Sequence, residues 1–118
     1  MRSTAHPGAG TTISIRVYDR FDSMFPKTQQ GCAESYLAGI HDIHDDSVVM
    51  EACGSVRNRA HGETAIYRYH SDWYGDHLVA MIVAGHGYAT VELWTKSAAQ
   101  REQHTAAFER VVEGIQLK

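Results

Sequence analysis

Seven consecutive apolar residues, Leu78 to Ala84, set the tightest limit on how this chain folds. Read as a strand, they send Leu78, Ala80, Ile82 and Ala84 to one side and Val79, Met81 and Val83 to the other. Both faces of such a strand must be kept from water, so it predicts a sheet covered on two sides. The run is far shorter than the roughly 20 apolar residues of a helical membrane span. With 118 residues, 43% of them apolar and 21% charged, the chain has the composition of a soluble globular protein and the length of one domain.

Neighbours for that strand are legible on both sides of it. In residues 11–18, Ile13, Ile15 and Val17 alternate with Thr12, Ser14 and Arg16, the period of a half-buried strand. Ser47 to Arg57 carries the β-prone Val48, Val49 and Val56, with Gly54 marking a bend or bulge. Thr64 to His70 and Tyr88 to Thr95 flank the apolar run in an antiparallel meander, and Gly85-His86-Gly87 suits a tight reversal. A helix is predicted from Gln29 to His44, with Ala33, Tyr36, Leu37, Ile40 and Ile43 on one face. A second begins after Ser97, whose spacing from Gln100 permits a capping box, and it carries Phe108, Val111, Val112 and Ile115 in a stripe. The order is therefore β-α-β-β-β-β-α. Two helices separated by a meander do not build repeated βαβ units, which predicts an α+β fold: an antiparallel sheet with helices packed on it. Pro7, Gly8 and Gly10 make residues 1–10 a flexible arm before a single domain over residues 11–118.

Charge and cysteine usage narrow the function classes. Eleven Lys plus Arg against fourteen Asp plus Glu give a net charge of -3, and no basic cluster stands out, so nucleic acid is not an expected partner. Residues 1–10 contain no apolar run of the kind that directs export, and membrane insertion is not expected. Cys32 and Cys53 form no short redox motif and are read as isolated thiols, with a disulfide or a reactive thiol as the alternatives. That usage points to a reducing, cytoplasmic setting; a processed exported domain stays open.

The segments Thr11-Thr12-Ile13-Ser14-Ile15-Arg16-Val17, Ala33 to His44, Gly62-Glu63-Thr64-Ala65-Ile66-Tyr67-Arg68-Tyr69, and Gly87 to Thr95 with Phe108 to Ile115 resemble, in this order, the Mog1/PsbP/DcrB-like group. The resemblance implies an antiparallel sheet with helices packed across it and accessory roles such as small-GTPase regulation, photosystem support or envelope-related binding. It implies no shared catalytic residue set. The further strands that often precede the segment matching Thr11 to Val17 are not evident in the sequence.

Candidate chemistry is sparse. His41 and His44 stand three apart on the first helix and precede Asp45 and Asp46, so His41, His44 and Asp45 form the one candidate metal set, and a small metal-dependent hydrolase is the enzyme alternative. A solvated, polar helix end explains the same residues. His61, His70, His77 and His86 lie at strand ends or loops, where folding either gathers them or leaves them independent. Cys53 with a histidine, and Asp72 with Asp76, lack a legible orienting group. No catalytic residue and no cofactor is therefore assigned.

Aromatic residues give the stronger binding clue. Tyr67, Tyr69, Trp73, Tyr74, Tyr88 and Trp94 form the candidate binding surface, with Tyr67 and Tyr69 on one side of their strand and Tyr88 and Trp94 sharing a side of theirs. If both helices cover one sheet face, the other needs the Phe21 to Pro26 loop, a second subunit or a partner. The expected function is a noncatalytic accessory or protein-binding domain forming a homodimer or heteromer; an aromatic-lined small-molecule site is the further alternative.

Overall fold

The computed structural model describes residues 2–8, 10–43 and 47–117. The expected order appears as β2 (Thr11–Tyr18), α1 (Gln29–Ile43), β3 (Glu51–Asn58), β4 (Gly62–Ser71), β5 (Gly75–Val83), β6 (Tyr88–Thr95) and α2 (Ala98–Gly114). One element departs from expectation: Arg2–Gly8, within the segment read as a flexible arm, forms β1 and pairs antiparallel with β2. Its place at the sheet margin explains how Pro7 is accommodated, because an edge strand has one side that needs no backbone donor. It also supplies a strand ahead of Thr11, where the sequence showed none.

The sheet order is β1-β2-β6-β5-β4-β3, every neighbouring pair antiparallel. Strands β3 to β6 form the meander, and the register shift between Ala52 and Gly54 puts the bulge where Gly54 suggested one. Four successive antiparallel pairings make β2 and β3 run the same way at opposite ends of this five-strand stretch. The chain leaving β2 must therefore cross the sheet to start β3, and α1 makes that crossing.

The helices lie on opposite faces. Phe108 and Val112 of α2 pack with Ile13, Val56, Ile66, Leu78, Ala80, Ile82, Ala89, Val91 and Leu93. Cys32, Ala33, Tyr36, Leu37 and Ile40 of α1 pack with Val79, Met81, Tyr69, Tyr88 and Val48. Strand β5 is thus enclosed by its own chain: Val79, Ala80 and Met81 are fully buried. The two helices do not share a face, so the second face is covered by α1 and does not depend on the Phe21 to Pro26 loop, a second subunit or a partner for its cover. Of the loop read as possible cover, Phe21 stacks on Tyr88 at 5.8 Å whereas Met24 points to solvent.

Local chemistry pins both helices. Thr28 accepts from the Gly31 N–H at 3.0 Å, and Gln29 bridges to β4 by donating to the Glu63 carbonyl and accepting from the Ala65 N–H. Ser97 caps α2 by accepting from the Gln100 N–H at 3.2 Å. The Gln100 side chain in turn accepts from the Lys96 N–H, one residue before the cap. At the other end, buried Asn58 accepts from the Ala60 and His61 N–H groups and donates to the Val112 and Ile115 carbonyls, both at 2.7 Å. One side chain thereby closes the β3–β4 turn and holds the last turn of α2.

Gly75 opens β5 at φ +92°, and a Cβ there would collide with the Thr95 and Lys96 backbone. Gly75→Ala is expected to cost about 2 kcal/mol or more, whereas Gly85→Ala, in open space, stays within about 0.5 kcal/mol; thermal unfolding compares them. Asn58→Leu removes hydrogen bonds to four backbone groups, one buried and three part-buried, and is expected to lose about 2 kcal/mol or more in urea unfolding. Equal stability of Asn58→Leu and the parent would remove the anchoring role given to this side chain.

Candidate functional site

Helix α1 packs over β5 and leaves part of the same face, where β2 and β6 run, less fully covered. Strand alternation decides what is exposed there. Tyr88, Thr90, Glu92 and Trp94 of β6 share that face, and the register Arg16↔Thr90 and Tyr18↔Tyr88 brings Arg16 and Tyr18 of β2 beside them. With Ser35, Tyr36, Gly39 and Ile40 of α1, Tyr69 and Ser71 of β4, and Tyr74 from the β4–β5 turn, they enclose a cleft of about 370 Å³.

Six aromatic rings line this space, and several are fixed by one another. Tyr18 stacks on Tyr88 with ring centres 4.6 Å apart, and Tyr74 meets Trp94 edge to face at 5.7 Å. The Tyr36 and Tyr69 hydroxyls are 2.8 Å apart. Burial pushes the Tyr36 and Tyr69 hydroxyls well above their ordinary range and holds Tyr88 at about 12, so all three are neutral hydrogen-bonding groups at physiological pH.

Two polar side chains sit low in the cleft. Glu92 is only 7% exposed; its Oε2 accepts from Trp94 Nε1 at 3.0 Å, and its carboxylate lies against the Tyr36 hydroxyl. Thr90 is 1% exposed, and its Oγ1 has no hydrogen-bond partner among the described residues. Arg16 is exposed, directing its guanidinium toward the Tyr18 hydroxyl at 3.5 Å, and feels Glu92 only at longer range.

Of the expected binding surface, the fold brings Tyr69, Tyr74, Tyr88 and Trp94 into this cleft. Tyr67 instead packs beside the α1-side core, and Trp73 is 79% exposed on the β4–β5 turn, outside the cleft. Arg16, Tyr18, Tyr36, Thr90 and Glu92 were not singled out from sequence. A signal for two of them existed: on the alternating face of β6, the polar Thr90 and Glu92 stand between Tyr88 and Trp94.

The other candidates disperse. His41 turns Nε2 to the Val48 carbonyl at 2.7 Å, while His44 and Asp45, with Asp46, lie outside the described residues. Among the described residues no three His, Cys, Asp or Glu side chains gather as a metal-binding group. His61 accepts from the Leu117 N–H, His70 sits between Asp72 and Asp76, His77 is buried and His86 is exposed, so the four are not brought together. Asp72 and Asp76 both meet His70 and raise its proton affinity, and Asp76 also meets Arg101. Both cysteines are free thiols; burial lifts Cys32 to about 11, and desolvation raises Cys53, away from the thiolate a nucleophile needs. No helix among the described residues is long and apolar enough to cross a membrane.

Compared with protein-family models, with curated proteins and with solved structures, the chain gives no match.

His77 supports the aromatic wall. It stacks on Tyr69 at 4.7 Å, meets Trp94 edge-on at 4.6 Å and is 1% exposed. Burial lowers its pKa to about 4, with the nearby Asp76 opposing. Because the folded value lies below the unfolded value of 6.5, the neutral ring stabilises fully above that pH, and this contribution is lost as pH falls toward 4. Urea unfolding across this window is expected to show a component approaching about 1.4 kcal/mol per pH unit that His77→Phe removes. An acid slope unchanged by His77→Phe would show that the ring accepts its proton in the folded state.

Proposed function

We propose that this domain is a noncatalytic binding module, of the Mog1/PsbP/DcrB-like kind, whose cleft between α1 and the β2–β6 part of the sheet receives one small organic molecule. The observation that carries this reading is the conjunction, in a single cavity of about 370 Å³, of six aromatic rings with a buried Thr90 hydroxyl that has no partner among the described residues. Ligand sites combine an apolar, aromatic lining with a few polar groups that fix orientation, and this volume lies within their usual range of about 300 to 1,000 Å³. The rings remove apolar ligand surface from water; the neutral tyrosine hydroxyls, Glu92 and Thr90 orient its polar part.

A noncatalytic role agrees with the chemistry of the lining. Tyr36, Tyr69 and Tyr88 are held far from ionisation, no histidine or cysteine among the described residues lines the cavity, and Glu92 is engaged by an indole N–H. The element order and accessory binding are also what the Mog1/PsbP/DcrB-like resemblance implies. A homodimer or heteromer formed through the sheet has less support, since α1 occupies the face that would have required it. The exposed large apolar side chains Met24, Val49 and Trp73 belong to three different connections.

An NMR fragment screen on the 15N-labelled full chain tests the proposal. Binding fragments are expected to move the amide signals of Tyr18, Tyr36, Tyr69, Thr90 and Trp94 together and saturably. Shifts scattered over the surface, or no saturable response at these positions, would retire the cleft as a ligand site.

A further inference from the structure

Building on the reading of the cleft as a ligand site, we propose that its ligand is a small protonated amine, with Glu92 and Thr90 forming the seat for the ammonium group. A carboxylate as buried as Glu92 is costly unless hydrogen bonds and an opposite charge compensate it. Trp94 supplies one hydrogen bond, Tyr36 lies against the carboxylate and buried Ser14 stands across from Glu92 in the β2–β6 register, but none of these carries the positive charge that would balance an ionised carboxylate. The ion pairs among the described residues join Glu51, Asp72 and Asp76 to Arg68, His70 and Arg101, and none reaches Glu92. Arg16 stays at the exposed rim, where water screens its attraction for Glu92.

Thr90 is the second, independent observation. It stands two residues from Glu92 on the same face of β6, and its buried oxygen has no partner among the described residues. A primary ammonium offers three N–H donors and a positive charge, which matches a carboxylate and a hydroxyl acceptor two residues apart on one strand face of the same cleft. The surrounding rings favour the same ligand, because aromatic faces attract cations. A carboxylate ligand would gain Arg16 at the screened rim while approaching the buried Glu92 charge. A neutral ligand would leave Glu92 without an opposite charge.

Four probes that share one benzyl or phenyl body separate these cases: benzylamine, benzyl alcohol, benzoate and benzyltrimethylammonium. They are titrated into the full chain by calorimetry, with NMR locating each on the protein. Benzylamine is expected to bind at least tenfold more tightly than the other three, with shifts centred on Thr90, Glu92 and Trp94. Glu92→Gln is expected to remove most of that preference by weakening benzylamine far more than benzyl alcohol, and Thr90→Val to weaken benzylamine severalfold. The comparison among probes on the parent protein stands even if a variant fails to fold. Benzyl alcohol or benzoate binding in the cleft as tightly as benzylamine would overturn the amine seat while leaving the cleft a ligand site. Equal binding of benzyltrimethylammonium would overturn the seat in favour of ring attraction alone. Benzylamine affinity unchanged in folded Glu92→Gln would do so as well. No response in the cleft to any of the four, together with an empty fragment screen, would overturn both readings.

Discussion

Enclosure of β5 on both faces is the constraint from which the rest of the architecture follows. Val79 and Met81 must be covered on one side, Leu78, Ala80 and Ile82 on the other, and each large apolar side chain so buried contributes about 1.5 to 3 kcal/mol. The chain meets this demand by placing one helix on each face, which gives two apolar clusters separated by a single sheet. Central placement of β5, between β4 and β6, follows from the same demand: an edge position would expose part of its backbone and side chains to water.

The two faces are closed differently, and that difference makes the cleft. Helix α2 follows β6 directly, lies along the apolar face and is locked at its end by Asn58, so the packing there is continuous. Helix α1 has to carry the chain across from β2 to β3 and rests over β5. Over β2 and β6 the sheet presents Arg16, Tyr18, Thr90, Glu92 and Trp94 in place of aliphatic side chains. A strip of that composition gains little from close packing under a helix, because its polar atoms would need partners that a helix face does not offer. It is instead walled by tyrosines whose hydroxyls meet one another, with neutral His77 bracing Tyr69 and Trp94.

Among the described residues, Glu92 is the one carboxylate buried in the sheet. Natural cores rarely bury a carboxylate without a cation, and local departures from good packing concentrate where a protein binds something. The indole N–H of Trp94 compensates only part of its charge. Thr90, more deeply buried and without a hydrogen-bond partner among the described residues, stands two residues away on the same strand face. The binding reading draws on this pair more than on the number of aromatic rings, since rings alone also serve ordinary core packing.

Sequence alone determined the elements and their order, for a local reason: strand alternation in Ile13, Ile15 and Val17, the helical stripe Phe108, Val111, Val112 and Ile115, and the Ser97 cap are written within a few residues. It also marked Tyr69, Tyr74, Tyr88 and Trp94 as a group. It did not reveal β1, whose Pro7 and Gly8 read locally as turn signals and whose pairing depends on the exposed edge of β2. Tertiary structure alone decided that the helices take opposite faces, that Trp73 stays outside while Tyr18 and Tyr36 come in, and that Arg16 lies across from Thr90. These outcomes depend on the path α1 takes between strands at opposite ends of the sheet and on the β2–β6 register, and both join residues too distant in sequence for any local pattern to encode their meeting.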